Sequence, residues 1–450
     1  MSKRNYSTLK WTVLFAIPLT IVSLIILAGF YPGIMTSDSL SQWYQIKDHD
    51  FGDWHPVIHT WFMMLILKVW YSPAAVALVQ IILMSLVLGY GLALFKQYGV
   101  DKIKLIIISV IAAILPEIPV MTVCIWKDII YVIFVTLLTI LMIRIYFEGD
   151  SLLSQKGFCI ALFIVTIGTM LFRHNGIIPG IMTLMLLFIL LKKHRKRVFI
   201  IFSLALITQV IVTGPIYKLF NVEPGSKSET FCVLINSIGR TAKYQGNKIS
   251  EADKAKMSEI LPYEKWGQDY NEYTTDYIKF DKDFKREKIN QDTIGFVGLW
   301  FSIFKSAPME TVKAYVQLSN LIWNPVSGFV NNNIAYPIDN NTLGIKSTKI
   351  LGSISDKILN LYLRIRMHRS FWRPAIPMYL FFILMLFAFV KNRNIKLLLI
   401  MSPVVFNILS LVLTIPAQDF RYLFSNYTVL LITAPMLFIK GTKMREVENG

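Results

Sequence analysis

Two uninterrupted apolar runs, residues 11–30 and 198–217, constrain this chain more than anything else in it. Each matches the roughly 20 residues that a helix needs to cross a bilayer core. In that core a backbone must satisfy its own hydrogen bonds, which a helix does and an irregular loop does not. The composition agrees: 54% of residues are hydrophobic and 16% are charged, against about 25% charged in soluble domains. Lys3, Arg4 and Lys10 before the first run imitate a secretory signal. No small-residue cleavage site follows and further spans do, so the run is expected to stay as a first membrane helix.

The net charge of +18 does not point to nucleic acid. Most compact basic clusters lie at the ends of apolar runs, where they meet anionic headgroups and set orientation. Cys124, Cys159 and Cys232 have no paired spacing, so neither a disulfide framework nor a cysteine metal site is expected.

Hydropathy and loop charge together predict an all-α polytopic bundle of about ten transmembrane helices, at residues 11–30, 72–95, 105–115, 129–145, 157–172, 177–191, 198–217, 376–390, 395–415 and 422–439. With the N-terminus in the cytoplasm, every short basic cluster falls on the inner side. These are Lys96/Lys102/Lys104, Arg144/Lys156, Lys192/Lys193/Arg195/Lys196/Arg197, Lys391/Arg393/Lys396 and Lys440/Lys443/Arg445. Both termini are then cytoplasmic. Counting residues 57–70 as a crossing would break this alternation, so that apolar stretch is expected in the outer interface, and the short run 294–304 likewise.

Three parts are expected. Residues 1–217 form an N-terminal transmembrane module whose first outer loop, 31–71, carries candidate catalytic residues. Residues 218–373 form a long extracytoplasmic segment with amphipathic interfacial helices, and 374–450 the last membrane helices with a cytoplasmic tail. Within the long segment Ser250 is expected to cap a helix starting at Glu251. Trp300, Phe301, Phe304, Tyr315 and Trp323 suggest helices lying on the membrane surface.

The residues that could carry chemistry gather in outer loops. Asp38 follows the first membrane exit, and Asp53, His55 and His59 immediately precede an interfacial helix. A carboxylate at that boundary can act as general base toward a sugar hydroxyl, while the histidines can orient substrate or bind phosphate or metal. The structural alternative is that Asp53-Trp54-His55-Pro56 caps the next helix. The triplet Asp48-His49-Asp50 imitates a metal-binding Asp-x-Asp, but on the outer side it reads as solvated loop.

Asp38-Ser39-Leu40 followed by Asp53-Trp54-His55-Pro56-Val57, ahead of an apolar helix, resembles the GT-C superfamily of membrane glycosyltransferases. Its bacterial members read Asp-Glu-Ala and then Phe-Asp-His-Pro-Pro at these places. Here Ser39 stands where the family has an acid, and Trp54 is inserted between the aspartate and the histidine. The family's second acidic position, in the next outer loop, has its counterpart in Trp126-Lys127-Asp128. The resemblance implies a polyprenyl-phosphate sugar donor, an inverting transfer, and Asp38, Asp53 and Asp128 as the catalytic carboxylates. A divalent metal ion held by Asp38 and Asp128 is the cofactor option it leaves open.

A phosphate leaving group gains from cations that stabilise its developing charge. Lys127, Arg173 with His174, and Arg421 lie at expected outer helix ends and, with His55 and His59, make the expected phosphate- and substrate-binding set. Each has a structural alternative: a Lys127–Asp128 pair, an interfacial Arg173, or Arg421 paired with Asp419. The function expected is therefore glycosyl transfer in a bacterial plasma membrane, on its extracytoplasmic face, to a cell-envelope glycan, teichoic acid or lipid-linked acceptor. The alternatives are a transporter or flippase for a lipid-linked saccharide, and a polysaccharide polymerase or ligase. Lack of an internal repeat and of charges deep in the spans disfavours the transporter.

Overall fold

The apolar runs fold as the longest helices of a computed structural model, which describes residues 3–326, 338, 340–366 and 369–439. Helices of at least seven residues are, in chain order, α1 (Lys3–Gly29), α2 (Ser37–Asp48), α3 (Val57–Leu67), α4 (Pro73–Gln97), α5 (Lys102–Ile114), α6 (Glu117–Val123), α7 (Lys127–Glu148), α8 (Lys156–Leu171), α9 (Ile177–Leu190) and α10 (Arg195–Ile211). They continue as α11 (Cys232–Gln245), α12 (Glu251–Ile260), α13 (Thr293–Ser306), α14 (Pro308–Leu318), α15 (Ser353–Arg366), α16 (Ala375–Asn392), α17 (Leu397–Thr414) and α18 (Ser425–Thr433). Among the described residues, β-structure is limited to isolated bridges. The protein is all-α.

Among the described residues, six helical stretches are long and apolar enough to cross a membrane: Ser7–Gly29, Pro73–Gln97, Lys127–Glu148, Lys192–Leu219, Ala375–Asn392 and Leu397–Thr414. The pair α5 and α6 passes the same test only together, bent by 58°. The bend falls at Pro116, which cannot continue the helical hydrogen-bond ladder. The expectation of about ten spans is thus not reached on length. The expected spans 157–172, 177–191 and 422–439 yield helices of only 16, 14 and 9 residues. The stretch 57–70 yields an 11-residue helix, also too short to cross. The basic cluster Lys440/Lys443/Arg445 lies outside the described residues.

The chain divides into two compact units. The first comprises Met1–Glu223, Asn332–Ile408 and Arg421–Gly450, the second Pro224–Asn331 and Leu409–Phe420. The stretch expected as one extracytoplasmic segment, 218–373, is therefore shared between them.

In the first unit α1 lies directly on α4. A Cβ at Gly89 would stand 2.4 Å from the backbone oxygen of Thr12, so only glycine allows that approach. The chain after α1 was expected as loop, but residues 37–48 form α2. Its Leu40, Trp43 and Ile46 share one face and pack with Met35, Met63, Leu67, Val76 and Ile125. In the second unit Ser250 caps α12, as expected, accepting from the Asp253 amide at 3.1 Å. The core of this unit gathers Ile235, Ile238, Trp266, Phe296, Leu299 and Ile303.

Candidate functional site: a buried array of alternating charges

The first unit brings the ends of several helices together. Backbone bonds stitch the segment before α2 to the segment before α7: Ile34 N–H donates to Val123 O at 3.4 Å, and Ile125 N–H to Ile34 O at 2.9 Å. Thr36 stands at the N-cap position of α2, yet its hydroxyl does not cap. It accepts instead from the indole N–H of Trp126 at 2.8 Å. Asp38 in the first turn of α2 and Lys127 at the start of α7 are thereby held face to face. The N-terminal end of α2 also favours a negative charge there.

The segment carrying Arg421 is fixed from the other side. Asn407 of α17 accepts from the Tyr131 hydroxyl at 2.7 Å and donates to Ser425 Oγ at 3.2 Å. Thr136 and Thr428 bond hydroxyl to hydroxyl at 2.8 Å. These contacts pin the start of α18 against α7 and bring Arg421 to Asp38, with which it forms an ion pair and hydrogen bond.

The result is a chain of alternating charges. Arg421 meets Asp38; Lys127 Nζ lies 3.6 Å from Asp38 and 3.9 Å from Asp128; Arg173 lies 3.2 Å from Asp128. Arg173 also rests over the rings of Tyr131 and Tyr422, at 5.4 and 4.7 Å. Arg421 lies 4.9 Å over Trp126. Asp128 and Arg173 are buried, whereas Asp38, Lys127 and Arg421 keep some exposure. Three cations face two carboxylates, so the array holds an excess positive charge that favours an incoming anion.

His55 completes the cluster. Its Nδ1 lies 3.0 Å from Lys127 Nζ and its Nε2 lies 3.7 Å from Asp38 Oδ1. Burial and the neighbouring charge of Lys127 push this imidazole down to about 3, so it is neutral at physiological pH. Burial alone would raise the Asp38 carboxyl, but Arg421, His55 and Lys127 outweigh it and hold the group well below the usual carboxylate range. As it stands, Asp38 is ionised and a poor proton acceptor.

The remaining expected residues fall elsewhere. Asp53 accepts from the Val57 amide at 3.2 Å, so it caps α3 as the structural alternative held. It also meets Tyr217, and His174, whose Nε2 lies 3.0 Å from the Asp53 carbonyl oxygen and whose Nδ1 lies 3.9 Å from its carboxylate. Burial raises the Asp53 carboxyl despite His174, the Val57 amide and the Tyr217 hydroxyl. Asp53 and His174 thus form a pair of their own. His59 is fully buried; its Nδ1 lies 2.9 Å from the Gln42 side-chain oxygen, and its ring packs on Phe62 and Phe172. Its Nε2 is buried without a hydrogen-bond partner among the described residues. The triplet Asp48-His49-Asp50 is exposed.

Nor do the residues fit a metal ion at Asp38 and Asp128. The Lys127 ammonium stands between the two carboxylates, and Arg421 and Arg173 take their other sides. Among the described residues no group of three or more His, Cys, Asp or Glu side chains could hold one.

Trp126, Tyr131 and Tyr422 went unread in the sequence as parts of the site. Each neighbours a recognised charge: Trp126 precedes Lys127, Tyr131 is one helical turn beyond Asp128, and Tyr422 follows Arg421.

Neither the curated proteins nor the solved structures give a match to this chain. A family model does match, over residues 53–448, a range that takes in His55, Lys127, Asp128, Arg173 and Arg421 and begins after Asp38. The chain belongs to that family, DUF6020, a family of unknown function.

Proposed function

We propose that this protein is a membrane glycosyltransferase that moves a sugar from a polyprenyl-phosphate donor to a cell-envelope glycan, teichoic acid or lipid-linked acceptor, with inversion at the anomeric carbon. The observation that carries this reading is the sharing of Asp38 between Arg421 and Lys127. Both partners are cations that a phosphate can also engage, and Arg421 presents the planar fork suited to phosphate oxygens.

In this mechanism the donor phosphate docks against Arg421 and Lys127, which turn from Asp38 to the phosphate oxygens. Losing those partners raises the basicity of Asp38, so the base is switched on by arrival of the leaving group. Asp38 takes the proton of the acceptor hydroxyl, and the freed oxygen attacks the anomeric carbon from the face opposite the phosphate. The bond from that carbon to the phosphate oxygen breaks, its electron pair leaves with polyprenyl phosphate, and the cations stabilise that charge. His55 steadies the carboxylate from its Nε2 side. The charge bias of the loops supports an extracytoplasmic site in a bacterial plasma membrane with both termini inside.

The test uses purified protein in lipid vesicles with polyprenyl-phosphate hexoses and pentoses offered in turn with an envelope-glycan acceptor. Transfer should release polyprenyl phosphate and give a product of inverted anomeric configuration by NMR. A retained configuration, or no glycosidic bond with any donor, contradicts the proposal.

The lipid-linked saccharide transporter has one observation in its favour. Glu117 is buried at the break between α5 and α6, and its Oε2 lacks a hydrogen-bond partner. Ionisable groups at broken helices serve transport paths. Movement of a lipid-linked sugar across vesicles without a new glycosidic bond would favour that reading. Lengthening of a chain by many residues would favour the polymerase.

A further inference from the structure

The second unit carries an apolar surface that its own core does not use. On α13 the inner face is Phe296, Leu299 and Ile303, which are buried in the core of the unit. The opposite face presents Ile294 (88% exposed), Val297 and Phe301, spaced as one helical stripe. On α14, Met309 (62% exposed), Val312 and Val316 repeat the pattern.

Both helices pack their inner sides on the same helix, α11. The indole of Trp300 on α13 donates to Ser237 at 2.9 Å, and Glu310 on α14 accepts from Arg240 at 2.8 Å. The two apolar stripes therefore both point away from α11. The aromatic residues expected to meet the membrane divide accordingly. Trp300, Phe304 and Tyr315 are half-buried and only Phe301 belongs to a stripe.

We propose that the outward stripes of α13 and α14 dock into the headgroup and acyl boundary of a lipid bilayer. Two observations choose lipid as the occupant. The Tyr315 hydroxyl of α14 donates to the backbone oxygen of Val412 at 2.5 Å, and Val412 lies in the last turn of α17. Since α17 is long and apolar enough to cross a membrane, this bond holds α14 beside the end of a crossing. The second observation is charge. The only acid on either helix, Glu310, is buried between Arg240 and Lys313, whereas Lys305 is exposed and reaches 4.5 Å over the Phe301 ring. A lysine at the border of an apolar stripe extends to anionic headgroups while its stem stays in apolar contact. This inference is independent of the chemistry proposed for the Asp38 array.

The test places nitroxide labels on the full-length protein in vesicles of phosphatidylcholine and phosphatidylglycerol. Single cysteines replace Ile294, Phe301, Met309 and Val316, and Lys256 on the polar side of α12 as the aqueous reference. The background is Cys159→Ser, because Cys124 and Cys232 are buried. Collisions with oxygen, which concentrates in lipid, and with a water-soluble nickel chelate report depth. The four stripe positions should favour oxygen over nickel relative to Lys256→Cys. Stripe labels as open to nickel as Lys256→Cys would overturn the proposal. So would labels shielded from both reagents, which would mean a protein covers the stripe; spin–spin distances would then tell a second copy from another partner.

Discussion

The ammonium of Lys127 lies 3.0 Å from Nδ1 of His55, which makes that nitrogen the acceptor, since an ammonium can only donate. The imidazole proton is then on Nε2, 3.7 Å from Asp38 Oδ1, so a neutral histidine presents a donor to the carboxylate. This arrangement depends on His55 staying uncharged, and a dependence on pH follows.

In the fold His55 titrates near 3, against an ordinary value of 6.5. Above 6.5 both folded and unfolded chains carry the neutral ring, and stability is unaffected. As pH falls from 6.5 toward 3, the unfolded chain binds a proton that the fold refuses. Stability then declines by up to about 1.4 kcal/mol per pH unit for each such histidine. Burial pushes His59 down to about 3 as well. Thermal unfolding in detergent should shift to lower temperature between pH 6.5 and 4.5, and His55→Gln should make that shift shallower. An unchanged slope in His55→Gln would show that the ring does not stay neutral.

Arg421 is expected to act on the leaving phosphate. Arg421→Met should lower kcat/KM by about 10²–10³, and Arg421→Lys should restore part of it, because charge returns without the bidentate fork. Steady-state transfer kinetics in vesicles check this, with equal loss in both variants as the contrary result.

Asp128 answers a different question. It is buried against Arg173 at 3.2 Å, and removing it leaves that guanidinium without its carboxylate. Asp128→Leu should destabilise the protein by about 3–5 kcal/mol, and adding Arg173→Met should recover much of the loss. Denaturation midpoints of the single and double variants measure it. A double variant no more stable than Asp128→Leu would mean that Asp128 does not act through Arg173.

Gly89 tests the packing beneath the site. A Cβ there meets the Thr12 backbone oxygen at 2.4 Å, whereas one at Gly157 meets nothing within 4 Å. Gly89→Ala should cost about 1–3 kcal/mol through displacement of α1. Gly157→Ala, on α8, should be neutral or stabilising by up to about 1 kcal/mol. Equal melting temperatures for the two variants would contradict the close contact of α1 and α4.

Much of the candidate site was legible because charged residues at the expected outer ends of the apolar runs are few. Lys127, Arg173 and Arg421 could be singled out by position, Asp38 and Asp128 by position together with the family resemblance, and the five meet in one array. Their pairing was not legible. Asp38 and Arg421 are 383 residues apart, and local reading offered Asp419 as the nearer partner for Arg421. The helix α2 escaped notice because its first turn is polar and its apolar face is only Leu40, Trp43 and Ile46. The Asp53-Trp54-His55 stretch was read as one cluster, yet Asp53 turns to Val57 and His174 while His55 turns to Lys127 and Asp38. Neighbours in sequence parted at the α3 N-terminus, where a free amide competes for the carboxylate. The count of about ten spans is not confirmed: hydropathy registers apolar content, while among the described residues six helical stretches have the length as well, and α8, α9 and α18 are shorter.

The most direct measurement is transfer by Asp38→Asn beside the unaltered protein, in vesicles, with a donor that the unaltered protein accepts. Asparagine keeps the shape at the start of α2 but cannot accept the hydroxyl proton. If Asp38 is the base, kcat should fall by about 10²–10⁴ while the protein still binds donor phosphate and unfolds near the same temperature at neutral pH. Transfer by a folded Asp38→Asn protein at the rate of the unaltered one would contradict the assignment.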